Sequence, residues 1–80
     1  FEHANTENLF KIFDMQENEA KSLIDKKLSL PAYDQCLKAS HVFNILDARG
    51  VISVAQRAEY ISKIRELTKG VGAIWLSSQS

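Results

Sequence analysis

The sequence predicts an all-α fold: an antiparallel three-helix bundle with helices over about residues 6–28, 31–49 and 54–76. Three observations predict it. Apolar residues recur at helical spacing in each stretch. One Pro and three Gly among 80 residues leave few breaks, so the elements are long. The breaks that do occur, at Ser29-Leu30-Pro31 and at Gly50, mark short connections, and short connections make neighbouring helices antiparallel.

The first helix places Leu9, Ile12, Phe13, Ala20, Leu23 and Ile24 on one stripe. Asn5 or Thr6 is the expected N-cap. Glu7 near the start, and Lys26 and Lys27 near the end, complement the helix dipole. Lys11, Asp14, Asn18, Ser22 and Asp25 form a solvated face.

The middle helix begins where Pro31 suits a first turn and stops before Gly50, which takes the left-handed position past a helix end at little steric cost. Tyr33, Cys36, Leu37, Ala39, Val42, Phe43, Leu46 and Ala48 cover most of its circumference, which predicts burial between neighbours. Ser40, Asn44 and Asp47 interrupt that apolar surface. A buried carboxylate needs a partner. Arg57, one turn into the third helix and on its apolar face, is the expected one. Ser40, Asn44, Asp47 and Arg57 are therefore the candidate structural polar network.

The third helix opens on Ser53-Val54-Ala55-Gln56, a capping-box pattern. Val54, Ala58, Ile61, Ile64, Val71 and Trp75 are its expected core face. Glu59 and Lys63 are spaced for an i,i+4 ion pair. Gly72 falls on the apolar face, where it would let another helix approach closely. Gly70 points away from that face, and the pattern gives no reason for it.

The chain weighs 9.0 kDa, and ten basic residues balance ten acidic ones, for zero net charge and a pI near 6.9. That balance weighs against a free-standing nucleic-acid binder and against a polybasic membrane segment. No apolar run is long enough to span a bilayer, and the opening FEHANTEN shows no signal-peptide pattern. Starting at Phe1, the chain reads as a piece of a longer protein. The lone Cys36 can form no internal disulfide, so composition points to a soluble intracellular domain.

No catalytic set is assembled by the pattern. Cys36, Ser40, His41 and Asp47 are the right residue types, but Ser40, His41 and Asp47 diverge around the helix. His3 and His41 are the only imidazoles and lie in no metal-ligand spacing. Gly70-Val71-Gly72 is too short for a phosphate loop. Lys38, His41 and Arg49 share the exposed face of the middle helix and are candidate contacts to RNA phosphates or to a protein partner. Asp34, Glu59 and Glu66 offset much of their field. Ile45 on that face would suit docking.

Leu30-Pro31-Ala32-Tyr33-Asp34, Leu37-Lys38-Ala39-Ser40-His41 and Phe43-Asn44-Ile45-Leu46-Asp47-Ala48-Arg49-Gly50-Val51-Ile52-Ser53-Val54 together resemble the C-terminal helical region of the alpha subunit of bacterial-type glycyl-tRNA synthetase. Glu17 to Leu23 and Arg57 to Arg65 fit as well, while Gly70 to Ser80 departs most. The resemblance implies a cytoplasmic class II synthetase of two alpha and two beta subunits. Such an enzyme activates glycine with ATP and Mg²⁺ and transfers it to tRNA(Gly). It also implies that the ATP and glycine pocket lies in a sheet domain N-terminal to this region, and that most tRNA-reading modules lie on beta. No class II motif occurs here, so no catalytic, cofactor or metal residue is carried over. The implied partners are the beta subunit, a second alpha subunit and tRNA(Gly). The competing expectation is an autonomous helical module that binds a protein or nucleic acid.

Overall fold

A computed structural model describes residues 3–79, with side chains described over residues 6–77. It contains α1 (His3–Asp25), α2 (Ser29–Ala48) and α3 (Val54–Gln79), and no strand among the described residues. The helices pack side by side into an antiparallel three-helix bundle, whose Cα trace extends 46 Å along its length. Each connection follows from local chemistry.

The α1–α2 turn is a Schellman motif built on lysine. Lys27 takes a left-handed φ of 60°. Its N–H donates to the Ile24 carbonyl at 2.9 Å, and the Leu28 N–H donates to the Leu23 carbonyl at 2.9 Å. These are the two reverse bonds that satisfy a helix's last carbonyls. They end α1 at Asp25, three residues before the expected stop at 28. Pro31 falls in the first turn of α2, where its missing N–H costs nothing. That helix begins two residues earlier than expected, capped by Leu28 without a side-chain hydrogen bond. Thr6 lies inside α1 rather than at its cap, and the side chain of Asn5 lies outside the described residues.

Gly50 closes α2 as expected, with φ of 68° and its N–H donating to the Asp47 carbonyl at 3.0 Å. The capping box of α3 forms in full. The Ser53 N–H donates to Gln56 Oε1 at 2.9 Å, and the Gln56 N–H donates to Ser53 Oγ at 3.1 Å. From there α3 runs through both glycines to Gln79, past the expected end at 76.

The main core joins Phe13 of α1, Ala39, Val42, Phe43 and Leu46 of α2, and Tyr60 of α3, with Leu9, Phe10, Ile52, Ile61 and Ile64 around them. A second cluster joins Ala20, Cys36 and Leu67, with Ile24 against it. Tyr60, Ile64, Leu67 and Val71 form a narrow 4-3-4 stripe, the seam that one helix presents to a pair of neighbours. This corrects the expected α3 face in part: Ile61, Ile64 and Val71 pack inward as expected, and Val54, Ala58 and Trp75 do not. Val54 is 89% exposed, Ala58 is exposed, and Trp75 is 48% exposed. Apolar residues cover a broad arc of α3, and only the edge centred on Tyr60 and Leu67 faces the core.

The glycines exchange roles. A Cβ on Gly70 would lie 2.9 Å from Ile24 Cδ1, so Gly70 is the close-approach residue. A Cβ on Gly72 would meet nothing within 4 Å. In α1, the seam also takes in Glu17, which is 8% exposed and paired with Lys21 at 3.4 Å.

The capping box is local and exposed, so its energetic weight is separable from the core. Ser53→Ala is expected to lower stability by about 1 kcal/mol in chemical denaturation, with an unchanged m-value. A loss under a few tenths would mean that the box does not hold the start of α3.

Candidate functional site

The predicted polar residues come together only in part. Asp47, in the last turn of α2, and Arg57, in the first turns of α3, are brought across the α2–α3 turn with Arg57 Nε 3.4 Å from Asp47 Oδ2. The expected pair exists, but not as a buried one. The two side chains are 57% (Arg57) and 37% (Asp47) exposed. Asn44 is exposed and Ser40 is half-buried. Neither joins the pair by a side-chain hydrogen bond among the described residues. The four-residue network is thus a two-residue ion pair at the rim. The polar positions of α2 fall at the edge of the packed surface, because α3 leans on Cys36, Ala39 and Phe43 instead.

Lys38 and His41 stand exposed on α2, and Arg49 is half-buried at its C-terminus. Lys38 Nζ is held 3.2 Å from Asp34 Oδ2. Lys63 lies over the Tyr60 ring, 5.2 Å from its centroid, rather than pairing with Glu59. Ring and ammonium attract through the ring's quadrupole.

Cys36 is buried, with Sγ 3.6 Å from Thr68 Oγ1. The Thr68 hydroxyl donates to the Ile64 carbonyl at 2.9 Å, which leaves the thiol as donor to Thr68. Cys36 is therefore tied to α3 and not to His41. Among the described residues no three His, Cys, Asp or Glu side chains converge as a metal site. His3's side chain lies outside them.

The Tyr60 phenol is displaced from its ordinary titration. Burial raises its pKa above 10.0, and the negative charges of Asp14, Glu59 and Glu17 push it the same way. The cause is loss of solvation for the phenolate, reinforced by acids on α1 and α3.

The cavity that sequence reasoning missed lies between the start of α2 and the end of α3. It is a groove of about 370 Å³ lined by Ser29, Leu30, Tyr33, Thr68, Val71, Gly72 and Trp75. Its lining carries three hydroxyl-bearing side chains, Ser29, Tyr33 and Thr68, and the Trp75 indole, and no charged side chain. The pattern holds a trace of it: Tyr33 and Trp75 read as core from hydropathy, while Gly72, between them in space, has no side chain to fill the gap.

A family model described as Glycyl-tRNA synthetase alpha subunit matches residues 1–80. The chain belongs to that family. Its synthetase parentage gives meaning to the stretch Lys38 to Gly50. In this alpha-subunit chain Ala39, Phe43 and Leu46 supply the core, Asp47 supplies the ion pair, and Gly50 supplies the turn. The ATP and Mg²⁺ that a glycyl-tRNA synthetase implies do not fit the lining of this groove. A magnesium triphosphate calls for cationic or backbone N–H cradles and carboxylates, whereas the groove is apolar. Among the described residues, no helix is long and apolar enough to cross a membrane.

Two outcomes are expected. First, the ion pair is exposed, so a double-mutant cycle with Asp47→Ala and Arg57→Ala should give a coupling below about 1 kcal/mol. A coupling of several kcal/mol would show a desolvated pair. Second, the raised Tyr60 pKa means that the folded state keeps a proton that the unfolded state releases. Its stabilising contribution is full below pH 10.0 and is lost as pH rises through the folded value. Thermal melting between pH 9 and 11 should therefore show a smaller alkaline loss in Tyr60→Phe than in the parent chain. Equal losses would remove Tyr60 as the cause.

Proposed function

We propose that this chain is a noncatalytic helical domain of a cytoplasmic glycine–tRNA ligase alpha subunit. It supports ATP-dependent attachment of glycine to tRNA(Gly) through contacts with the beta subunit, a second alpha subunit or tRNA. The observation that carries this reading is the groove. This groove is apolar and open, with no charged side chain lining it, which suits binding rather than chemistry. The family match over residues 1–80 supplies the ligase. ATP and Mg²⁺ belong, on this reading, to residues of the enzyme outside this chain.

Lys38, His41 and Arg49 are the proposed polar contacts. Their positions along one side of α2 support an approach by phosphate or by an acidic partner. The neutral total charge means that such contact is made within an assembly, where other parts of the enzyme supply the main attraction.

The chain alone should show no glycine-dependent ATP–pyrophosphate exchange above background. In the intact enzyme, the combined substitutions Lys38→Ala, His41→Ala and Arg49→Ala should leave that exchange unchanged while lowering aminoacylation. If these side chains meet phosphate, the salt dependence of tRNA binding flattens by roughly one unit of slope for each phosphate-binding cation removed. Exchange by the chain alone, or a fall in exchange that tracks aminoacylation, would overturn the noncatalytic assignment.

A further inference from the structure

The two glycines near the end of α3 stand on either side of the point where the core stops. Gly70 is required by packing, because a Cβ there would press on Ile24 at 2.9 Å. Val71, the next residue, is 9% exposed. It is the last buried residue of α3 among those whose side chains are described. Gly72 follows, and an added Cβ there would meet nothing within 4 Å. A glycine inside a helix loses more backbone entropy than alanine and weakens the helix. Packing within the bundle does not offset that cost at Gly72.

Beyond Gly72 the helix is weakly held. Ile74 is half-buried, Trp75 is 48% exposed and Leu76 is 70% exposed. No basic residue stands in the last turn to complement the C-terminal end of the dipole. The sequence there includes Ser77 and Ser78, and serine favours helix less than alanine or leucine does. Residues 73–79 are also too few to stay helical once they part from the rest of α3, because an isolated helix that short is unstable in water. Detachment and unwinding are therefore a single event for this arm.

We propose that Gly72 is a hinge, and that residues 73–79 leave the bundle and return to it as one unit while residues 54–71 stay packed. Glycine leaves helical φ and ψ at the least steric cost, which suits a position that absorbs the change of direction. The hinge acts on the α2–α3 groove. Trp75 is the part of its lining that moves, whereas Ser29, Leu30 and Tyr33 of α2, and Thr68 and Val71 of α3, lie on the fixed side. Opening removes the Trp75 wall and turns a groove of about 370 Å³ into a one-sided shelf on α2. Closing restores it. A ligand that touches both Trp75 and Tyr33 selects the closed state, and its affinity is scaled by the closed fraction. The arm thus governs whether the groove is formed, independently of what occupies it.

Amide hydrogen exchange of the chain, read residue by residue by NMR in rising sub-denaturing urea, tests the hinge. The amides of residues 73–77 are expected to share one protection, at least about tenfold below that of Ile64 and Leu67, with the step falling just after Gly72. Opening so short an arm exposes little surface, so their rates should ignore urea while the core rates rise with it. Gly72→Ala places its methyl in open space and should slow exchange about fivefold, equally across residues 73–77, which is the difference in helix propensity between the two residues. Simple fraying from the C-terminal end gives another pattern: protection falls gradually toward residue 77, and the alanine leaves residues 76 and 77 unmoved. That gradient would overturn the hinge, as would protection at residues 73–77 that equals the core's and shares its urea dependence. The noncatalytic assignment stands or falls separately, on pyrophosphate exchange.

Discussion

Tyr60 sets the geometry on which the rest of this bundle depends. Its ring meets Phe13 of α1 edge-on at 4.7 Å, Phe43 of α2 at 6.0 Å and Phe10 of α1 at 6.2 Å. One side chain of α3 is therefore locked between both other helices, in the tilted and perpendicular arrangements that aromatic quadrupoles favour. A ring held on that many sides fixes the rotation of its helix about its own axis. With Tyr60 inward, Ile64, Leu67 and Val71 follow it at helical spacing. The far edge of the apolar arc is displaced by that rotation, which turns Val54 and Trp75 outward.

The same rotation explains the two glycines. It carries Gly70 to the side where Ile24 of α1 lies, and the missing side chain lets the helices close. It carries Gly72 to the opposite flank, beside α2, where nothing closes over it. It also places Thr68 next to Cys36, so that the thiol finds an acceptor within the seam. The groove is thus a consequence of where the rings direct α3, and function enters through the surface that the core leaves uncovered.

Features written in a few neighbouring residues were legible in the sequence. Three helices, the Ser53–Gln56 box and the Gly50 turn follow from local chemistry, and the structure forms each of them. The Asp47–Arg57 pair was legible because a single turn brings the two together, although its exposure was not. The Schellman turn was missed because lysine gives no signal for a left-handed backbone. The α3 face was right at Ile61, Ile64 and Val71 but centred too far toward Val54 and Trp75, because hydropathy alone cannot say which edge of a broad apolar face meets aromatic partners on other helices. Glu17 was passed over for a similar reason: its position between Phe13 and Ala20 on the seam outweighs its charge, with Lys21 alongside. Of the groove, the sequence held only the trace left by Tyr33, Gly72 and Trp75, because its position depends on that rotation.

The central claim is that the Tyr60 ring cluster turns Trp75 away from the core. Trp75 is the chain's single tryptophan, so its fluorescence reports this without ambiguity. The account predicts red-shifted emission, readily quenched by acrylamide, in the folded chain on its own. Blue-shifted emission that resists quenching until the chain unfolds would place Trp75 in the core and contradict the rotation from which the groove is derived.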